Sequence, residues 1–117
     1  MSTASTLPFS KIRPAAGLLF LAGEMPIATD GGVPEGIEAQ TALTLDRIAA
    51  TLAGEGLSLD DVVSMTAYLT DPADFPAFNR VYAARFKTPY PVRTTVRADL
   101  MLPGARLELT AVARLRA

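Results

Sequence analysis

Two kinds of hydrophobic periodicity alternate along the chain, and their order limits the fold more than any other feature. Residues 35–53 and 71–86 repeat apolar side chains at the spacing of a helix, the second with an aromatic stripe. The other segments are strand-like, most of them alternating apolar and polar side chains, and they lie at residues 9–12, 18–22, 62–70, 91–96 and 106–111. The order β-β-α-β-α-β-β favours an α+β sandwich in which two helices cover one face of a sheet.

Local signals predict where the helices begin and end. The apolar stripe of the first helix consists of Ile37, Thr41, Leu45, Ile48 and Leu52. Gly54 is expected to end this helix as a left-handed cap. Asp71 and Pro72 are typical of the N-cap and first position of the second helix.

Length and composition exclude several classes of function. The 117 residues suit one domain, residues 1–117, and they include no Cys and no His. Disulfides, thiolate nucleophiles, Ser-His dyads and histidine-ligated zinc are therefore excluded. A net charge of −1 without a basic run argues against a nucleic-acid partner. Since residues 1–8 lack a signal-peptide pattern and no apolar stretch could span a bilayer, we expect a cytoplasmic protein without membrane contact.

Charged residues interrupt the two strand segments nearest the C-terminus. Arg93 shares one strand face with Thr95, and Glu108 lies between leucines. The turn-like residues 102–105 predict that the two segments form a hairpin or lie close together, with Arg93 and Glu108 on one surface. An arginine that binds a carboxylate, beside a glutamate that holds a water, is a minimal site for hydrolysing a small anion. A cross-strand ion pair on a solvent-exposed face explains the same pattern.

The uncovered face of the predicted sheet is the second candidate surface. Half of the residues are hydrophobic and only 20% are charged. A small chain with this balance retains apolar surface, so we expect the face without helices to pack against other copies of the chain.

Several segments together resemble the Rid proteins, the reactive intermediate deaminases also called the YjgF or L-PSP family. Residues 91–96, followed after a Leu-Pro-Gly turn by residues 107–113, are similar to the family signature. Pro8-Phe9-Ser10 is similar to its Pro-Tyr-Ser, and residues 22–26 are similar to its Ser-Gly-Gln-x-Pro. Similar runs also occur at residues 40–41, 58–63, 68–71 and 78–82, so the resemblance covers nearly the whole chain in order.

The resemblance implies a chorismate-mutase-like fold and a homotrimer with active sites in clefts between subunits. It implies hydrolysis of 2-imino acids and their enamine tautomers to 2-oxo acids and ammonia, without a metal or organic cofactor. Arg93 would bind the substrate carboxylate, and Glu108 would position and deprotonate the attacking water. Asn79 matches a helix asparagine near the pocket, and Gly23 would contribute backbone contacts.

Three residues depart from the family pattern, and each removes or alters a polar group. Phe9 replaces a pocket tyrosine, Ala22 replaces a serine, and Thr95 replaces a cysteine whose main chain helps to hold the water. These changes imply a less polar pocket, and they leave a non-catalytic trimeric module that binds 2-oxo acids as an alternative. A core position is the alternative for Phe9. Ribonuclease activity, attached to some relatives, is disfavoured by the acidic balance of the chain.

Overall fold

A five-stranded sheet carries two helices on one of its faces in the computed structural model, which describes residues 7–116. The elements are β1 (Ile12–Ala15), β2 (Leu18–Leu21), α1 (Ile37–Ala53), β3 (Val62–Leu69), α2 (Phe75–Arg85), β4 (Val92–Arg97) and β5 (Leu107–Arg114). This order confirms the predicted β-β-α-β-α-β-β arrangement. The expectation that residues 1–6 carry no targeting signal lies outside the described residues.

The strand order in the sheet is β1-β2-β5-β3-β4, and it contradicts the predicted C-terminal hairpin. β3 lies between β4 and β5, pairing in parallel with the first and antiparallel with the second. The reason is α2, which connects β3 to β4 as a crossover and so makes these strands parallel neighbours. β5 then pairs with the remaining edge of β3, where it also meets β2.

Three boundaries in the structure differ from the predicted ones. The first strand lies at Ile12–Ala15 rather than at residues 9–12, and it includes Pro14, which an edge strand tolerates. Gly54 keeps a helical φ of −61°, and Gly56 takes the left-handed conformation at +73° instead. Asp71 caps a 3₁₀ turn at Pro72–Asp74, after which α2 begins.

The core lies between the helices and the sheet. The predicted stripe of α1 is buried along its whole length, as are alternate residues of β5, namely Leu107, Leu109, Ala111 and Ala113. β3 contributes Met65, Ala67 and Leu69 to the same core. Within residues 7–116, neither helix is long and apolar enough to cross a membrane.

The other face of the sheet carries no helix, and we call it the open face. It presents the alternate residues of the strands, among them Phe20, Tyr68, Val92, Val96 and Val112. Val92 is 71% exposed and Phe20 is 44% exposed, so the expected apolar surface is present.

Candidate functional site

Arg93 lies on the helix-covered face of β4, where α2 holds it. Its Nη2 donates a hydrogen bond to Asn79 Oδ1 at 2.7 Å. Its guanidinium carbon lies 4.7 Å from the ring centroid of Tyr82 and 5.2 Å from that of Phe78, within the range of cation–π attraction. Phe75 contributes a third ring at 5.8 Å. These contacts fix the guanidinium without neutralising it.

Two shallow cavities flank Arg93 along β4. One, of about 320 Å³, is lined by Arg93 itself and by Asn79, Tyr82, Ala83, Tyr90 and Pro91. The other, of about 260 Å³, is lined by Leu69, Pro72, Phe75, Thr95 and Arg97. Among the described residues Arg93 has no carboxylate within ion-pair distance. An arginine fixed in this way beside open space can accept an anionic ligand.

Tyr82 belongs to the aromatic stripe of the second helix, and that pattern alone did not single it out as a site residue. Its hydroxyl is buried and has no hydrogen-bond partner within the described chain. Burial raises the pKa of this hydroxyl, and the charge of Arg93 opposes that rise. A signal was available, since Tyr82 follows Asn79 by three residues and therefore lies on the same side of the helix.

Glu108 lies on the open face of β5, opposite Tyr68 of β3. Gly23 passes directly beside its side chain, where a Cβ atom would overlap Glu108 Oε2. Burial raises the pKa of the Glu108 carboxyl, and the nearby negative charge of Glu24 adds to the rise. A carboxylate whose pKa is shifted toward neutral pH is suited to general-base catalysis.

Ala22 and Phe9 lie near the β2 end of the sheet. Ala22 is half-buried next to Gly23, and its N–H donates to the carbonyl of Lys11 at 2.9 Å. Phe9 is 60% exposed, so the alternative that it is a core residue is wrong. Its assignment to a pocket stays a prediction.

The structure separates the candidate residues into two groups. Arg93, Asn79 and Thr95 lie on the helix-covered side of β4, whereas Glu108 and Gly23 meet on the open face. The prediction that Arg93 and Glu108 share one surface is wrong, and so is the alternative of a cross-strand ion pair. The register gives the reason: Arg93 aligns with Met65 of β3, and Glu108 aligns with Tyr68. Positions 65 and 68 are an odd number of residues apart, so their side chains point to opposite faces.

The adjacent acidic residues Asp60 and Asp61 belong to a 3₁₀ turn, in which Asp61 has a structural role. Asp61 is fully buried and accepts hydrogen bonds from the Ser58 N–H at 2.9 Å and from Arg116 Nη2 at 2.6 Å. The hydrogen bond from Arg116 is the main cause that lowers the pKa of this carboxyl. Within residues 7–116, no cluster of acidic side chains could hold a metal ion.

Known proteins share sequence and fold with this chain. The family model described as Endoribonuclease L-PSP matches residues 2–115. The chain belongs to the L-PSP family. Among relatives, a RutC family protein of Pyrococcus horikoshii is 37% identical over 108 residues, covering 91% of this chain and 86% of that protein. TdcF of Escherichia coli, which is named as a reactive intermediate deaminase, is 31% identical over 100 residues, covering 82% of this chain and 78% of TdcF.

Solved structures of L-PSP relatives share the fold. RidA from an Antarctic Psychrobacter superposes with a TM-score of 0.87 at 26% identity, covering 96% of this chain and 92% of RidA. TdcF crystallised with bound serine superposes with a TM-score of 0.85 at 28% identity, covering 97% of this chain and 91% of TdcF. The predicted α+β fold and the Rid resemblance are both confirmed.

Proposed function

We propose that this L-PSP protein is a hydrolytic deaminase of reactive 2-imino and enamine carboxylates, which it converts to 2-oxo acids and ammonia. The observation that carries the proposal is Arg93, a guanidinium fixed by Asn79 and aromatic rings but with no carboxylate partner among the described residues. A substrate carboxylate supplies the missing anion in a bidentate contact. The name of TdcF supports the same class of reaction.

The chemistry needs only a held substrate and an activated water. An iminium carbon is already electrophilic, so Arg93 contributes by fixing the carboxylate next to it. Glu108 removes a proton from the water while the water oxygen bonds to the iminium carbon and the C=N electron pair moves to nitrogen. Glu108 returns that proton to the amino group of the carbinolamine. The C–N bond then breaks, ammonia leaves, and the remaining hydroxyl proton is lost as the 2-oxo acid forms.

We further propose that each site forms between two copies of the chain, in a homotrimer. Arg93 and Glu108 point to opposite faces of the sheet and lie on strands separated by β3. Two strand spacings place the backbones of β4 and β5 about 10 Å apart, so one copy cannot direct both side chains at one small substrate. A second copy packed on the apolar open face supplies the other residue.

The departures at Phe9 and Ala22 favour a second candidate, a module that binds 2-oxo acids without turnover. Each replaces a hydroxyl of the family pattern by an apolar group, which weakens binding of a polar substrate by about 1 kcal/mol per lost hydrogen bond. The endoribonuclease activity in the family description is not transferred to this chain, since the net charge is −1.

An oxidase-coupled assay tests the proposal. An amino-acid oxidase generates imines in situ, and the release of 2-oxo acid is measured above spontaneous hydrolysis. We expect Arg93→Ala and Glu108→Gln to abolish this excess rate. Arg80→Ala is the matched control, since Arg80 follows Asn79 on α2 but forms only an exposed ion pair at 3.5 Å. Calorimetric binding of a 2-oxo acid by a wild-type protein that shows no excess rate would favour the binding module.

A further inference from the structure

An ion pair on the helix side of the sheet supports the segment that contacts Glu108. Arg47 of α1 donates from Nε to Glu24 Oε1 at 2.6 Å and from Nη1 to the carbonyl of Ile27, also at 2.6 Å. The Glu24 side chain is only 14% exposed. Arg47 therefore links both ends of residues 24–27 to α1.

The backbone of the same segment is bonded to β5 next to Glu108. Glu24 and Leu109 exchange two hydrogen bonds, at 2.7 Å from the Glu24 N–H and 3.0 Å from the Leu109 N–H. Gly23, which precedes Glu24, lies against the Glu108 carboxylate. The position of residues 23–24 thus decides how much space the carboxylate of Glu108 has.

We propose that Glu24 and Arg47 are positioning residues for Glu108: their ion pair holds Gly23 against the carboxylate and sets the charge that Glu108 experiences. The inference rests on the proposed function for the role of Glu108 as the base. Arg47 compensates part of the charge of Glu24, so the two residues act on Glu108 in opposite directions. The raised pKa of Glu108, to which Glu24 contributes, agrees with this arrangement.

Few other described groups face Glu108. Tyr68 lies opposite on β3, and Glu24 belongs to the segment along the other edge of β5. Arg106, which directly precedes β5, donates two hydrogen bonds to the carboxylate of Asp74, at 2.8 Å and 3.0 Å. Glu24 is the carboxylate that contributes to the raised pKa of Glu108, and it lies outside the hydrophobic core. A substitution at Glu24 therefore removes this charge without changing the core.

A titration of Glu108 followed by carboxyl-carbon NMR tests the proposal without any assay of activity. We expect Glu24→Gln to lower the Glu108 midpoint by about half a pH unit, the size of one partly screened neighbouring charge. Arg47→Met should raise the midpoint by a similar amount, and Arg47→Lys should return it toward the wild-type value. Asp46→Asn is the matched control, because Asp46 precedes Arg47 on α1, is 62% exposed and pairs with Arg85 of α2 at 2.6 Å.

The double variant Glu24→Gln/Arg47→Met separates charge from packing. The charges of Glu24 and Arg47 act on Glu108 in opposite directions and their effects add, so we expect the double variant to titrate close to the wild-type midpoint, and the acidic limb of kcat/KM to shift with the NMR midpoint in every variant. A Glu108 midpoint that does not move in Glu24→Gln, or that moves in the same direction in Glu24→Gln and Arg47→Met, overturns the inference. Midpoints that move as expected in a protein without turnover would instead support the charge-setting pair and remove the deaminase proposal.

Discussion

Mixing two inactive variants offers the sharpest test of a site shared between subunits. Arg93→Ala leaves Glu108 intact, and Glu108→Gln leaves Arg93 intact. The two residues point to opposite faces of one sheet, and the proposed site therefore combines Arg93 of one subunit with Glu108 of another. An oligomer that contains both variants therefore regains sites in which both residues are present.

The expected magnitude follows from the geometry. In a random equimolar mixture, half of the subunits carry Arg93 and half carry Glu108. A shared site needs one subunit of each kind in the correct order, so about one site in four is functional in the whole mixture and about one in three in the trimers that contain both variants. About a third of the wild-type rate should therefore return in the isolated mixed trimers. If both residues came from one subunit, no subunit in the mixture would carry the pair.

Co-expression with two different affinity tags isolates the mixed oligomers, and the oxidase-coupled assay measures their rate. The control mixture replaces Glu108→Gln by the double variant Arg93→Ala/Glu108→Gln, which cannot contribute an intact Arg93 and should restore nothing. A rate for the mixed oligomers no higher than that of each parent would refute the shared site. A wild-type protein that light scattering finds to be a monomer would refute it as well.

Three further predictions concern single substitutions. Gly23→Ala should lower kcat by about tenfold to a hundredfold with little change in Tm, because its Cβ displaces the Glu108 carboxylate; a wild-type kcat would contradict this. Tyr82→Phe should leave the free energy of unfolding equal or higher by up to about 1 kcal/mol, because its buried hydroxyl has no partner in the described chain; a clear loss in urea unfolding would contradict this. Asp61→Asn should lower the free energy of unfolding by about 1–2 kcal/mol at pH 7. Because the pKa of Asp61 is lowered in the folded protein, its ion pair stabilises the fold above the ordinary pKa of 3.8. This stabilisation is lost as pH falls through the lower folded pKa. Urea unfolding should therefore show that the difference in free energy of unfolding between variant and wild type becomes smaller below about pH 4. A difference that does not depend on pH would contradict the role of the Asp61 ion pair.

The elements of this fold could be predicted from the sequence because each depends on local periodicity. The α1 stripe from Ile37 to Leu52 is buried as expected, and β5 buries alternate residues as expected. The strand order depends instead on connections and could not be derived from local pattern. The turn-like residues 102–105 suggested a hairpin, but the crossover through α2 had already placed β4 beside β3.

Candidate site residues could be named from the sequence, but their arrangement could not, because it depends on the register of the strands. Alternation decides which residues of a strand share a face, as Arg93 and Thr95 do. It does not decide whether that face is also the face of Glu108 on another strand, because that depends on how each strand aligns with β3. An offset of one residue on β3 would have reversed the outcome.

The distribution of apolar and charged residues along β4 indicated which of its faces the helices cover, without knowledge of the strand register. Its apolar residues Val92 and Val96 point away from the helices, whereas Arg93 points toward them and rests on the rings of α2. A helix that presents an asparagine and aromatic rings can accommodate a guanidinium, whereas the two valines remain exposed, Val92 at 71% and Val96 at 41%. A second copy packed on this face would bury them, and the separation of Arg93 from Glu108 favours the same proposed assembly. The polarity of β4 and the division of the site are therefore two independent reasons for the proposed interface, and we expect substituting Val92 to disturb assembly and turnover together.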